Sequence, residues 1–230
     1  MTTYAFPPHA LPTVPVEGQG GESRLVFPVR RILCVGRNYA AHRREMGGDE
    51  RDPPFFFAKP ADAVAPLAAE IPYPPATSDL HHEIELVVAL KSGGANLTPE
   101  QALAAVFGYA VGVDLTRRDL QGAAKAKGQP WEAGKAFDAS APISAIRVMD
   151  APAPGAAVTL SVNGAERQRG QVGDMIWNIG EVVAKASALW TLAAGDLIFT
   201  GTPEGVGAIV RGDRVVGEVE GVGRLEFTLV

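Results

Sequence analysis

The segment LHHEIELVVAL, residues 80–90, reads as a core strand, yet it carries two carboxylates, Glu83 and Glu85, among aliphatic neighbours. Successive side chains on a strand point to opposite faces, so the two glutamates share one face while Ile84, Leu86 and Val88 take the other. Two carboxylates brought together in an interior lose hydration and repel each other, so one becomes protonated unless a cation neutralises them. A hard divalent metal would do this. The competing reading is an exposed strand edge with solvated glutamates.

A second segment, FGYAVGVDLT at residues 107–116, bears on that choice. Alternation puts Phe107, Tyr109, Val111 and Val113 on one face and Gly108, Ala110, Gly112 and Asp114 on the other. The face holding Asp114 has almost no side-chain bulk, as expected where a backbone, a ligand or an ion comes close. Three oxygen donors on two strands would form part of an octahedron around magnesium or manganese, with positions left for water or substrate. The chain has one cysteine, so no Cys-rich cluster favours zinc.

Outward from these strands, the pattern is of short strands broken by Gly and Pro, near 31–35, 55–58, 84–90, 107–114, 157–162, 196–200 and 213–229. Helices are expected near 39–46, 99–105, 117–127 and 175–191. The helices are too few and too irregularly placed for repeated βαβ units, which indicates an α+β, mainly β fold. Residues 1–28, rich in Pro and Gly, read as an extended N-terminal arm, and 29–230 as one globular domain.

With 230 residues, 47% of them hydrophobic, the chain can bury a substantial core. A net charge of -5 without a local Lys/Arg stripe argues against nucleic acid or an anionic membrane and leaves small molecules as partners. No apolar run approaches the roughly 20 residues that span a bilayer, and MTTYAFPPHA lacks the plan of a signal peptide. A cytoplasmic protein is expected. The lone Cys34, in the apolar run RILCVG, reads as a small core residue rather than a nucleophile.

GRNYAAHRREMGG, residues 36–48, has Asn38 placed as an N-cap and Gly47-Gly48 as a stop, leaving a helix of about two turns that is marginal on its own in water. His42 and Glu45 share one face of it, where the carboxylate can orient the imidazole as a base for activating water. An incidental surface pair is the alternative.

Taken in order, GRNYAAH, FFFAKPADA, HHEIELVV, DLTRRDLQ, GKAFDASAPI and GDLIFTGTPEGVG resemble the motifs of the fumarylacetoacetate hydrolase family over roughly residues 30–228. Within it the chain looks most like the smaller acylpyruvate and fumarylpyruvate hydrolases, with a short arm where the larger fumarylacetoacetate hydrolase has a separate domain. The resemblance implies a mixed β-sandwich roll with a few short helices and a lid helix. It implies Glu83, Glu85 and Asp114 as ligands of Mg2+ or Mn2+, and His42 and Glu45 as the water-activating dyad on the lid.

It further implies Lys135 as a catalytic lysine beside the metal ligands and Arg118, Gln121 and Thr202 as substrate-binding residues. Lys59, in AKP, matches a position near the site without an assigned role. The implied substrates are 2,4-dioxo acids, cleaved at a C–C bond to pyruvate and a carboxylic acid as in the catabolism of aromatic compounds, and the implied assembly is a homodimer. An oxaloacetate-type decarboxylase or 2-oxo-acid isomerase of the same family is the nearest rival, and a non-catalytic scaffold with a structural ion is a rival from another class. GTPEGVG lacks the G-K-[ST] of a phosphate loop. His81 and His82, next to the acidic strand, read as packing or hydrogen-bonding residues. The Met and Trp residues of DMIWNIGEVVAKASALW fall at helical spacing and read as core.

Overall fold

A computed structural model describes residues 4–17, 25–39 and 52–230. The expected helix at 39–46, with His42 and Glu45, lies outside the described residues apart from Tyr39, which sits in an isolated bridge with Met175. The chain is mainly β. A seven-stranded mixed sheet runs in the order Phe55–Lys59, Arg31–Gly36, Asp196–Phe199, Ile84–Leu90, Val106–Val113, Ala141–Ile143, Val64–Pro66. A five-stranded sheet, in the order Ala165–Gln171, Ala157–Val162, Arg214–Val219, Gly223–Leu229, Glu70–Ile71, is the second large layer.

Ile84–Leu90 is buried at every residue, because both faces of its sheet are covered. Ile84, Leu86 and Val88 pack with Val158, Leu160, Val215 and Phe227 of the five-stranded sheet. Val87 and Ala89, on the glutamate side, pack with Ile32, Cys34, Ala110 and Phe199 and with Val14, Val16 and Phe27 from the N-terminal arm. The arm thus supplies core residues, and its Thr13–Pro15 and Val26–Pro28 pair as an antiparallel ribbon. Cys34 is buried in this layer, and burial pushes its thiol well up, with the charge of Asp114 adding to the effect.

The structure departs from the expected pattern in several places. The bare face of Gly108, Ala110 and Gly112 is filled: a Cβ on Gly112 would stand 2.6 Å from both Phe199 and Val87, and one on Gly108 would stand 2.4 Å from the Arg147 carbonyl oxygen. The small residues there admit core side chains and a neighbouring backbone rather than a ligand. Phe107 does not share a face with Tyr109, because the register with Ile84–Leu90 shifts between Ala89 and Leu90. An extra residue in one strand reverses the side chain, and Phe107 stacks on Phe27 with ring centroids 5.6 Å apart.

The expected strand at 213–229 is a hairpin of two strands, Arg214–Val219 and Gly223–Leu229. The expected helix at 175–191 spans only Ile179–Leu189, because Asn178 caps it, accepting from Glu181 N while Glu181 accepts from Asn178 N. Met175 and Trp177 therefore precede the helix; Met175 is buried and Trp177 packs against the core.

Candidate metal centre

Glu83 sits immediately before Ile84–Leu90, and Asp114 immediately after Val106–Val113. The two strands pair Ile84 with Val113, and the Asp114 amide donates to the Glu83 carbonyl at 2.8 Å. Antiparallel pairing thus places Glu83 and Asp114 opposite each other, with Glu85 two residues along the first strand. One oxygen from each of Glu83, Glu85 and Asp114 lies within 4.8 Å of the others, and all three residues are buried.

Cations and amides from elsewhere in the chain hold this cluster. Lys135, on the short helix Glu132–Lys135, donates to Glu83 Oε2 at 2.8 Å, Asp114 Oδ2 at 2.6 Å and Thr116 Oγ1 at 2.7 Å. Burial pushes the Lys135 ammonium down, but the charges of Asp114 and Glu83 outweigh that and hold it above its ordinary value. Lys59 lies with its Nζ 2.9 Å from Asp114 Oδ1 and also donates to the carbonyls of Leu115, at 3.3 Å, and Lys135. Arg118 donates to Glu83 Oε1 at 2.5 Å. Glu85 accepts from the Gly201 amide at 2.7 Å, and its carboxyl is pushed well up by burial first and then by the charges of Asp114 and Glu83.

A bound cation would oppose that upward push. The donors fit a hard divalent ion: three convergent carboxylate oxygens, and a buried Asp114 Oδ1 that makes no hydrogen bond despite its ion pair with Lys59.

Four other sequence-derived residues lie at the same place, whereas His42 and Glu45 are outside the described residues. Arg118, Gln121, Lys135, Thr202 and Glu83 line one cleft, together with Gly36, Arg37, Phe55, Phe57 and Trp131. Arg118 also donates to Gln121 Oε1 at 2.7 Å and to His81 Nδ1 at 3.3 Å, and His81 Nε2 lies 2.9 Å from Asp79 Oδ1. Hydrogen on Nε2 satisfies both His81 contacts. Burial, then the Arg118 charge, keeps the His81 imidazole below its usual value.

His82 pairs with Gln168 Oε1 at 2.8 Å. Both histidines have hydrogen-bonding roles, as read from the sequence. Asn38 spends its amide on the carbonyls of Trp177 and Thr200 and accepts from Trp177 N, so it ties the 200–201 turn to a distant segment.

Sequence reasoning missed Gln168. It lies in Ala165–Gln171, a strand of mostly exposed polar residues that was not expected. Its amide accepts from the Ile84 backbone at 3.1 Å and donates to Thr202 Oγ1 at 2.8 Å and to the Pro203 carbonyl at 2.9 Å. The available signal was Asn163-Gly164, whose positive φ values of 53° and 80° make the tight hairpin turn that Asn-Gly favours.

A mainly β fold thus brings three buried acidic side chains and a buried lysine together beside one cleft, as a carboxylate cluster able to hold a metal ion. The sequence profile described as Fumarylacetoacetate (FAA) hydrolase C-terminal matches residues 31–230, and the chain belongs to that family. It is 42% identical to a fumarylpyruvate hydrolase from Ralstonia over 176 residues, covering 76% of this chain and 92% of that one. It is 40% identical to oxaloacetate tautomerase YcgM of Escherichia coli over 200 residues, covering 86% and 91%. The crystal structure of fumarylpyruvate hydrolase from Pseudomonas aeruginosa in complex with Mn2+ and pyruvate superposes with a TM-score of 0.94 at 50% identity, covering 99% of each chain.

Proposed function

We propose that the chain is a metal-dependent hydrolase that cleaves the C3–C4 bond of 2,4-dioxo acids, of which fumarylpyruvate is the leading candidate, to pyruvate and a carboxylic acid. The observation that carries this reading is the charge balance of the site. Among the described residues, Glu83, Glu85 and Asp114 are matched by Lys59, Lys135 and Arg118. A divalent ion added to that neutral set leaves an excess of positive charge, which an anionic substrate would offset. The fumarylpyruvate hydrolases among its relatives support the same reading.

Glu83, Glu85 and Asp114 would hold Mg2+ or Mn2+. Such an ion would supply Lewis acidity toward the α-keto acid end of the substrate. Thr202 accepts from Gln168, which leaves its hydroxyl proton free to donate to the substrate carboxylate. Gln121 accepts from Arg118 through its oxygen, which leaves its NH2 as a donor. Lys135 has all three N–H bonds committed to Glu83, Asp114 and Thr116, so it stabilises developing negative charge as a fixed positive charge rather than by a new hydrogen bond.

In this reading His42, oriented by Glu45, takes a proton from water that attacks C4. The hydroxyl ends on the departing acid, and the proton returns to C3 of pyruvate. The family resemblance and the cysteine-poor composition support a cytoplasmic homodimer.

A second reading, keto–enol tautomerisation or another 2-oxo-acid reaction without water attack, is favoured by the likeness to oxaloacetate tautomerase. Incubation with fumarylpyruvate, acetylpyruvate and oxaloacetate plus Mg2+, with every product identified, separates the two. Stoichiometric pyruvate and a second acid from the 2,4-dioxo acids is the expected result. Turnover of oxaloacetate alone, with the dioxo acids recovered intact, would remove the hydrolase reading.

A further inference from the structure

The cleft also holds a cation that the chemistry above does not use. Arg37 lines it and holds a left-handed backbone, φ 60°, which is uncommon for a residue with a side chain and concentrates at functional sites. Its guanidinium carbon lies 5.8 Å from the centre of the Phe55 ring. Its Nε is buried without a hydrogen-bond partner, and among the described residues no carboxylate pairs with it. Lys59, Lys135 and Arg118, by contrast, are each ion-paired to an acidic residue of the metal cluster.

The wall beneath Arg37 is aromatic and fixed. The Phe55 ring lies directly over Gly36, where an added Cβ would stand 2.0 Å from it, so only glycine admits the ring at that place. Phe55 and Phe57, two apart on one strand, both meet Trp131, with ring centroids 5.1 Å and 6.0 Å away. The cleft is therefore polar at Glu83, Lys135, Gln121 and Thr202, flat and apolar along Phe55, Phe57 and Trp131, and cationic at Arg37.

We infer that Arg37 is a specificity-determining residue that binds a second carboxylate, at the far end of a substrate whose α-keto acid end lies at the acidic cluster. The inference rests on the α-keto acid reading above, and it deepens that reading by assigning the residue that would favour an elongated diacid with a planar middle over a monoacid such as acetylpyruvate. A planar guanidinium takes a carboxylate through two parallel hydrogen bonds, and the ring beneath keeps it oriented. The unpartnered Nε and the flat wall are then the complement of the ligand's two remaining parts.

The test is calorimetric and needs no turnover. In the presence of Mn2+, 2-oxoheptanedioate and 2-oxoheptanoate are titrated into the wild type, Arg37→Gln, Arg37→Met and Arg37→Lys, with pyruvate as the common reference. The wild type should prefer the diacid about tenfold or more, as expected for a charge-assisted hydrogen-bonded pair. The preference should fall to within about twofold in Arg37→Gln and Arg37→Met, with part of it kept in Arg37→Lys, because a point charge lacks the planar fork. Pyruvate affinity should be unchanged throughout.

Arg37→Met keeps the stem over Phe55, so it carries the test if Arg37→Gln does not fold. No diacid preference in the wild type, its persistence in the uncharged variants, or an equal loss for diacid, monoacid and pyruvate would each overturn the inference. If the diacid preference depends on Arg37 but fumarylpyruvate is not cleaved, the hydrolase reading falls and the role of Arg37 stands.

Discussion

Lys59 Nζ lies 2.9 Å from Asp114 Oδ1, with both side chains sealed from solvent. Lys59 also donates to the backbone of Leu115 and of Lys135, so one ammonium ties the metal strand to the helix that delivers Lys135. Removing one partner of a buried ion pair leaves an uncompensated charge and costs about 3–5 kcal/mol. Lys59→Met should therefore lower unfolding stability by about that much in metal-free buffer. Added Mn2+ should recover part of the loss, since it neutralises the same carboxylate. Urea denaturation with and without metal measures both, and equal stability of variant and wild type without metal would remove the role assigned to Lys59.

Glu83→Gln keeps the shape of the side chain but removes a charge that faces Lys135 and Arg118. It should weaken Mn2+ binding at least about tenfold, with activity falling accordingly. His42→Ala should leave metal affinity unchanged and lower turnover by about 100-fold or more, the usual scale for a general base. Calorimetry and initial rates on both variants separate ligand from base. Unaltered metal affinity in Glu83→Gln would contradict the cluster's assignment.

Gln168→Leu replaces a buried amide that serves four partners: His82, the Ile84 backbone, Thr202 and the Pro203 carbonyl. A buried polar group left without its partner costs about 1–3 kcal/mol, so the melting temperature should drop by several degrees. KM should rise more than kcat falls, because Thr202 loses the bond that fixes its hydroxyl. A variant that melts with the wild type would show that these groups find other partners.

Burial, and then the charge of Asp150, pushes the Tyr109 phenol up to about 12. As pH rises through the ordinary phenol value near 10, the unfolded chain ionises first while the folded chain keeps its proton. The folded state therefore binds more protons, and stability falls between about pH 10 and 12. Tyr109→Phe should lack this part of the alkaline loss. Denaturation midpoints of both proteins at pH 9 and pH 11 measure it, and parallel declines would show that Tyr109 does not contribute.

How much of this was legible in sequence follows from the range of the interactions. Glu85 shares its side of the strand with Val87 and Ala89, opposite Ile84, Leu86 and Val88, as the alternation in residues 80–90 requires. The alternation in residues 107–114 ends at Asp114 as read, but the bulge that turns Phe107 over left no local mark, because it arises in pairing with another strand. Likewise the small residues at Gly108 and Gly112 indicated close approach, while only the packed structure shows that Arg147, Phe199 and Val87 make it.

The sequence by itself determined the mainly β character, the strands that carry Glu83, Glu85 and Asp114, and the residue types able to hold a cation, because strand periodicity and side-chain chemistry are local properties. Tertiary structure alone decided that Lys59 reaches across to Asp114, that Gln168 lies beneath Ile84 and Thr202, and that Arg37, Phe55 and Trp131 share a cleft. The contact between Ile84 and Gln168 alone spans 84 positions. The pattern of polar and apolar residues along a chain records which face a side chain takes, but not which distant group meets it there.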